Sequence, residues 1–208
     1  MLQIFATISS LSILVPFFVG LKFYKSFRSN TSKTFFIFIV LTMITELMNV
    51  GLSLLKINNV WLNNIYVFVP LIAFQLILNY EKAIAINLSN FFNLILIIIY
   101  SVGFINLEKI FNFNPIHYVI SSFILAIFCV MMLFKVFDHA KIIDQSFVFW
   151  ISSGMLFYAS TTLVLYGLLN IFMTSYKQLL WFYIVPQTIV NVTVNLVFAK
   201  ALYGTNEK

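Results

Sequence analysis

The stretch Leu41-Thr42-Met43-Ile44-Thr45-Glu46-Leu47-Met48-Asn49 places a carboxylate in the middle of a long apolar segment. An α-helix needs about 20 largely apolar residues to cross the hydrocarbon core of a bilayer, and the segment around this stretch has that length. Glu46 is the only carboxylate that we place well inside such a segment. The stretch therefore predicts a membrane-spanning helix that carries one ionisable group.

The composition of the whole chain is that of a multi-pass membrane protein. Its 208 residues are 62% hydrophobic and 9% charged, whereas soluble domains contain roughly 25% charged residues. The alternating pattern of an outer-membrane barrel strand is absent, so the composition favours helices packed in lipid. We predict an all-α membrane protein that forms a single transmembrane domain over residues 1–208.

Seven apolar segments separated by short polar connections account for nearly the full length of the chain. Each end is set to within about three residues, and the segments are 3–24, 35–55, 65–80, 91–107, 117–137, 146–173 and 179–203. The first segment lacks a basic start and is followed by Lys22, Lys25 and Arg28, where a signal peptide would have a small-residue cleavage site. We therefore expect it to be a retained helix.

The distribution of lysine and arginine predicts the orientation of these seven helices. With the N-terminus outside, nine basic residues lie on the inner side and three on the outer side, as the positive-inside rule requires. Trp61 and Trp181 fall at the outer starts of the third and seventh helices, and Trp150 at the inner start of the sixth. The predicted arrangement is N-terminus out and C-terminus in.

The spacing of the segments is also compatible with a parallel 3+1+3 repeat. A shift of about 116 residues lays the first three segments on the last three, in the manner of duplicated membrane bundles. Val69-Pro70 is followed by Gln75 and Asn79, and Val185-Pro186 by Asn191 and Asn195. Evenly spaced helices can also match by chance, and Glu46 falls on Thr162, so both interpretations stay open.

Polar side chains group on a few predicted helices and suggest a ligand or coupling site. Intramembrane polar groups normally face the interior of a bundle or a wet cavity, and several of these residues are four positions apart, on one helix face. We expect the second, third, sixth and seventh helices to meet there. The candidate residues are Glu46, Asn49, Gln75, Asn79, Tyr158, Gln187 and Asn191.

Two interpretations of Glu46 remain open at this stage. In the functional one, it responds to protons or cations at a central cavity. In the structural one, it is a buried carboxyl that fixes helix packing through Asn and Thr partners. No Lys or Arg falls in a helix centre to neutralise it, so an ion pair is the least favoured arrangement.

Three prolines fall inside predicted helices, where a missing amide N–H and a ring clash normally bend the axis. They are Pro16, Pro70 and Pro186. Pro70 and Pro186 are the candidate hinges, although membrane helices also tolerate proline as plain architecture.

Several function classes are disfavoured by the sequence. We find no Gly-x-Ser-x-Gly, His-Glu-x-x-His or P-loop motif and no pair of intramembrane carboxylates, so we expect no enzymatic activity. His117, His139 and the single Cys129 have no partners at metal-ligand spacing. Lys200 lies near the inner end of the seventh segment, where it cannot hold retinal, and we expect no cofactor. Basic residues are dispersed, which argues against nucleic acid and for a lipid bilayer as partner.

Two family resemblances add expectations about function. The Val185-Pro186-Gln187 to Asn191 stretch and the seven segments resemble the PQ-loop superfamily of sugar and amino-acid carriers and retrieval receptors. That resemblance implies hinged helices and a small-solute carrier. In that family the Pro-Gln pairs belong to the first and fifth helices, whereas this chain has its pair in the seventh.

A second resemblance rests on Asn58–Tyr66, Phe149–Tyr158 and Glu46. Together they resemble an uncharacterised family of small seven-helix inner-membrane proteins of Bacteroidetes. Some of its members are encoded near sensor kinases, which implies a signalling role and a membrane or signalling protein partner. We therefore expect a non-enzymatic sensor or accessory subunit of the bacterial inner membrane, with a PQ-loop-like carrier of a small solute as the alternative.

Overall fold

The computed structural model describes residues 2–83, 115–139, 143, 146–175 and 180–204. Over these ranges the regular structure is helical, with no strand. The helices, numbered in chain order, are α1 (Leu2–Leu11), α2 (Leu14–Phe23), α3 (Asn30–Leu54), α4 (Val60–Tyr66), α5 (Phe68–Tyr80), α6 (Pro115–His139), α7 (Phe147–Ser175) and α8 (Leu180–Gly204), with a 3₁₀ turn at Tyr24–Ser26.

Six helical spans within these residues are long and apolar enough to cross a membrane. They are Ile4–Ser26, Asn30–Leu54, Val60–Tyr80, Ile116–Asp138, Phe147–Leu168 and Trp181–Gly204. The prediction of an all-helical, multi-pass membrane protein is therefore confirmed in its coarse form. The fourth predicted segment, 91–107, lies outside the described residues. The count of seven, the orientation and the repeat stay predictions.

The six spans form a closed ring. α6 packs against α7, α7 against α8, and α8 against both α1 and α2, which brings the last span beside the first. α3 packs against α1 and α2 on one side and against α4 and α5 on the other, and α5 contacts α6. The residues that face inward from all six spans therefore share one interior.

The second span begins earlier than the sequence predicted. We expected residues 25–34 to be a connection and the helix to begin at 35, but α3 begins at Asn30. Ser29 accepts a hydrogen bond on Oγ from the backbone N–H of Ser32, at 3.1 Å, and so caps the helix. Polar residues that resembled a loop are the first turn of the helix.

The third span also begins earlier, because Asn58–Asn64 is not the connection that we predicted. Asn58 accepts a hydrogen bond on Oδ1 from the N–H of Val60 at 3.0 Å, and α4 begins there. An Asx turn of this kind reverses the chain within a few residues. Asn63 and Asn64 thus lie in the helix, whereas Asn58 and Asn59 remain in the connection.

Two of the three proline-containing spans are interrupted. The first span breaks at Ser12 and Ile13, upstream of Pro16, and the third breaks at Val67, upstream of Pro70. A proline supplies no N–H to the carbonyl four residues before it, so the break lies on that side. α8, by contrast, continues through Pro186. Whether Pro70 and Pro186 act as hinges stays a prediction.

Phenylalanines fill the interior at the end of the ring where α3 and α7 begin. Phe35 is fully buried, and its ring meets those of Phe74, Phe147 and Phe198 edge-to-face at centroid distances of 6.4, 5.6 and 5.0 Å. Phe38 packs against Phe74 and Phe198 in the same way. We call these five residues the phenylalanine cluster. It closes this end of the interior with apolar side chains.

Candidate functional site

A cavity of about 360 Å³ occupies the other end of the ring interior, where α1, α4, α6 and α8 begin. Its lining is mostly polar and aromatic, with four asparagines, two serines, Gln187, Thr188 and Glu46. Five tyrosines also line it, and we call it the tyrosine cavity. They are Tyr66, Tyr118, Tyr158, Tyr166 and Tyr183.

The tyrosine cavity adjoins a smaller pocket of about 70 Å³ that reaches towards the phenylalanine cluster. We call this smaller space the neck. It is lined by both polar and apolar side chains, and the apolar ones include Ile13, Pro70 and Phe198. The residues that line both spaces are Ser9, Glu46, Tyr66, Tyr158 and Asn191. Glu46 therefore stands at the junction between the tyrosine cavity and the neck.

The carboxylate of Glu46 is held by a neutral partner. Ser10 on α1 donates a hydrogen bond from Oγ to Oε2 of Glu46 on α3, at 2.6 Å. Among the described residues that line the tyrosine cavity and the neck, there is no Lys, Arg or His. A carboxylate within a membrane span is costly unless its charge is compensated. This one is tethered to α1 without a cation beside it.

A polar stripe on α8 fastens that helix to α1. Asn191 donates from Nδ2 to Ser9 Oγ at 2.7 Å, and Asn195 donates to Ser12 Oγ at the same distance. Residues four apart lie on one helix face, so the two bonds are successive ties between α8 and the first span, one to α1 and one to the break that follows it. The polar groups of the last span are thus directed at the first span.

α4 is joined to α3 by a second set of hydrogen bonds. Asn49 donates from Nδ2 to Asn63 Oδ1 at 2.7 Å, and the hydroxyls of Thr42 and Tyr66 are 2.8 Å apart. These pairs use α3 residues on either side of Glu46 in sequence. They place the Tyr66 ring beside the carboxylate at the junction.

Three of the tyrosine rings form a stacked group in the wall of the cavity. The rings of Tyr118 and Tyr166 are parallel to within 2°, with centroids 4.5 Å apart. Tyr183 meets Tyr166 edge-to-face at 5.5 Å. Such contacts fix ring positions, so α6, α7 and α8 present a fixed aromatic wall.

Two amide oxygens at the cavity lack donors. Asn49 Oδ1 and Gln187 Oε1 are buried, and neither has a hydrogen-bond donor within the described part of the chain. Their amide nitrogens are engaged, because Asn49 donates to Asn63 and Gln187 donates to Asn191. Buried polar atoms normally have a partner. These oxygens are enclosed, so a ligand that donates hydrogen bonds would reach them after neighbouring side chains move.

The structure brings five of the seven candidate residues together. Glu46, Asn49, Tyr158, Gln187 and Asn191 all line the tyrosine cavity. Gln75 is buried in α5 and Asn79 is exposed, and neither belongs to the lining of the cavity or the neck. Pro70 lines the neck, whereas Pro186 lines neither space. A ligand-binding role for these residues stays a prediction.

The sequence-based site omitted two helices, α1 and α6, and most of the tyrosines. Ser9, Ser10 and Ser12 on the first span carry the contacts to α3 and α8. Three serines within four positions of an apolar segment are a signal for an inward-facing stripe. The tyrosines gave no such signal, because an aromatic residue in a span fits packing, lipid contact or a cavity equally well.

In comparisons with known proteins, no family model, curated protein or solved structure matches this chain. The geometry of the site is consequently the basis for assigning a function. Its groups can accept hydrogen bonds, stack on a ligand and balance a positive charge. These are the properties of a binding site for a small molecule.

Proposed function

We propose that this chain is a non-enzymatic sensor subunit of the bacterial inner membrane that binds a small polar ligand in the tyrosine cavity. The observation that carries the proposal is the cavity itself, about 360 Å³ of space between spans, lined by five tyrosines and a ring of amides and hydroxyls. Small-molecule sites have volumes of roughly 300–1,000 Å³ and a few convergent polar groups. A bundle that needed only to fill its interior would close this end with apolar side chains, as it does at the other end.

The contacts at the cavity offer a route from binding to conformational change. Ser10 and Ser9 on α1 are bound by Glu46 on α3 and Asn191 on α8. A ligand that takes Glu46 as its partner weakens the tie between α1 and α3, and so favours a different arrangement of the first span. With the N-terminus outside, the cavity faces away from the cytoplasm. A membrane or signalling protein partner would then detect the movement.

A PQ-loop-like carrier of a small solute is the second candidate, and the helix breaks favour it. Ile13 lies at the break of the first span, and Pro70 lies just past the break of the third. Both residues line the neck. Breaks placed at the narrow end of a solute cavity are suited to a gate that opens on alternate sides.

Ligand binding by the purified protein tests the proposal. We expect a member of a panel of amines, alcohols, sugars and amino acids to raise the melting temperature of the full chain in lipid nanodiscs, because a ligand that binds only the folded state stabilises it. Ala6→Trp fills the cavity at a lining position and should abolish that shift. Ile8→Trp, at an exposed position on the same helix and outside the lining, should preserve it. A panel without any stabilising solute would overturn the proposal.

Uptake by proteoliposomes separates the sensor from the carrier. The stabilising solute is placed outside vesicles that contain the full chain, and its accumulation is followed with a radiolabel. Binding without accumulation supports the sensor. Accumulation that Ala6→Trp abolishes and Ile8→Trp leaves intact would replace the sensor with the carrier.

A further inference from the structure

The balance of charge in the tyrosine cavity identifies the class of ligand that suits it. Glu46 is the only acidic or basic residue among the described residues that line the cavity and the neck. Within the described ranges, its hydrogen bond comes from the neutral hydroxyl of Ser10. An anion placed here would meet a carboxylate and, in the part of the lining that the structure describes, no positive group. A cation would compensate the carboxylate and avoid the cost of an unpaired charge within the membrane.

The tyrosine rings also favour positive charge. The face of an aromatic ring is negative and its edge positive, so a cation is attracted to the face. Tyr66 and Tyr158 line the junction together with Glu46, and Tyr118, Tyr166 and Tyr183 continue the wall towards the open end. A carboxylate with aromatic rings beside it is a combination that recognises organic ammonium groups. A bare metal ion would use only a small part of this volume.

The two unpartnered amide oxygens specify the ligand further. Asn49 Oδ1 and Gln187 Oε1 accept hydrogen bonds and cannot donate them, and neither has a donor among the residues that the structure describes. Asn49 follows Glu46 by one helical turn, on the same side of α3. A ligand with N–H groups satisfies these oxygens, whereas a quaternary ammonium ion, which has no N–H, leaves them unpaired.

We propose that the tyrosine cavity is a site for a small organic ammonium ion with free N–H groups. The carboxylate of Glu46 is its counter-charge, the rings of Tyr66 and Tyr158 enclose the ammonium, and Asn49 and Gln187 accept its remaining protons. The proposal rests on the proposed function, because it names the ligand class of that same cavity. It makes the lone carboxylate of the membrane interior part of the recognition of a positive charge.

Three probes of one shape and different charge test the inference on the wild-type protein. Cyclohexylammonium, cyclohexanol and cyclohexanecarboxylate are titrated into the full chain in nanodiscs of zwitterionic lipid, which removes the attraction of ammonium ions to anionic headgroups. Affinity is measured by calorimetry and by the shift in melting temperature. We expect cyclohexylammonium to bind at least roughly tenfold more tightly than cyclohexanol, and the carboxylate to bind most weakly.

Two matched substitutions of a carboxylate test whether Glu46 is the residue that binds the ammonium group. Glu46→Gln should reduce the affinity for cyclohexylammonium by roughly tenfold or more and leave that for cyclohexanol unchanged. Glu81→Gln is the control, because Glu81 bonds to Thr31 at the opposite end of the ring and lies outside the cavity. Equal binding of the ammonium and the alcohol would overturn the ammonium assignment and leave the proposed function intact. Failure of these probes and of the whole solute panel would overturn both.

Discussion

The two ends of the helical ring solve the same packing problem in opposite ways. At one end the phenylalanine cluster fills the interior, with Phe35, Phe74 and Phe198 all buried. At the other end, tyrosines, asparagines and serines surround about 360 Å³ of space. The phenylalanine rings meet one another edge-to-face, whereas the polar side chains bond across the helices and leave two oxygens without donors in the described residues. The spans that carry the phenylalanine cluster, which are those of α3, α5, α7 and α8, also contribute to the cavity, so the same spans present different side chains at the two ends.

This contrast separates stability from function within one bundle. In lipid the helices gain little from the hydrophobic effect against one another, so close packing and interhelical hydrogen bonds hold them together. The phenylalanine cluster supplies the packing. The tyrosine end is packed less densely, and its polar side chains line a cavity instead of filling it. We therefore expect substitutions at the first end to change the free energy of unfolding most, and those at the second end to change ligand binding.

The largest effect is expected from Phe35→Ala. The ring is fully buried and contacts three other rings, so its removal leaves a cavity that rigid neighbours cannot fill. Loss of a buried phenylalanine costs about 3–5 kcal/mol. Reversible unfolding in mixed detergent micelles measures the change.

Phe134→Ala is the matched control for that substitution. Phe134 is 65% exposed on α6, where its ring faces the surroundings of the bundle. Its removal should change the free energy of unfolding by less than about 1 kcal/mol. Equal losses at the two positions would mean that the phenylalanine cluster is not the stabilising centre of the ring.

A smaller effect is expected from Gly20→Ala. A Cβ at this position would lie 2.4 Å from the Phe36 ring and 3.3 Å from Leu202, and Phe36 is itself packed against Phe17 and Phe27. The ring cannot move aside freely, so overpacking should cost about 1–3 kcal/mol. The same unfolding assay reports it.

Gly51→Ala is the matched control for Gly20→Ala, and we expect it not to destabilise the protein. Gly51 lies in α3, and an added Cβ there meets no atom within 4 Å. The variant should be neutral or more stable by up to about 1 kcal/mol, since alanine is the better helix former. A loss at Gly51 as large as that at Gly20 would contradict the assignment of the Gly20 effect to contact with Phe36, because an added Cβ at Gly51 has no such contact.

The sequence predicted the apolar spans well and their ends less well. Hydropathy identifies a span because the bilayer demands a long apolar stretch, and the six described spans overlap the predicted segments. The starts of α3 and α4 were missed because Ser29 and Asn58 look like loop residues until their side chains are seen capping a helix or closing a turn. Local hydrogen bonds of this kind are not visible in hydropathy.

Helical spacing identified some of the residues that line the cavity and also selected Gln75 and Asn79, which lie outside it. Helical spacing grouped Gln75 with Asn79, and Gln187 with Asn191, but spacing gives the face of a helix and not the depth of a residue in the ring. On α5, Gln75 and Asn79 lie beyond the neck and away from the cavity. α8 begins at the cavity end, so Gln187 and Asn191 line the cavity. The depth of a residue depends on where each span starts relative to its neighbours, which tertiary packing determines.

The smallest effect on the free energy of unfolding is expected from loss of the hydrogen bond between Asn195 and Ser12, at the neck between the two ends. Asn195 donates to Ser12 Oγ at 2.7 Å, and Asn195 also lines the neck. Hydrogen bonds between membrane helices contribute about 0.6 kcal/mol on average and up to about 1.7 kcal/mol. A double-mutant cycle of Ser12→Ala and Asn195→Ala in the same unfolding assay should give a coupling energy in that range.

The value of that cycle is that it isolates the polar contribution from the packing that surrounds it. Thr193→Ala, at an exposed position on the same helix, should show no coupling to Ser12→Ala, because residues without contact are additive. Zero coupling between Ser12 and Asn195 would mean that their hydrogen bond adds nothing to the packing between α8 and the first span at this position. A ligand that displaces Ser10 from Glu46 would then meet no polar restraint there, and the first span would move as freely at the neck as at the cavity.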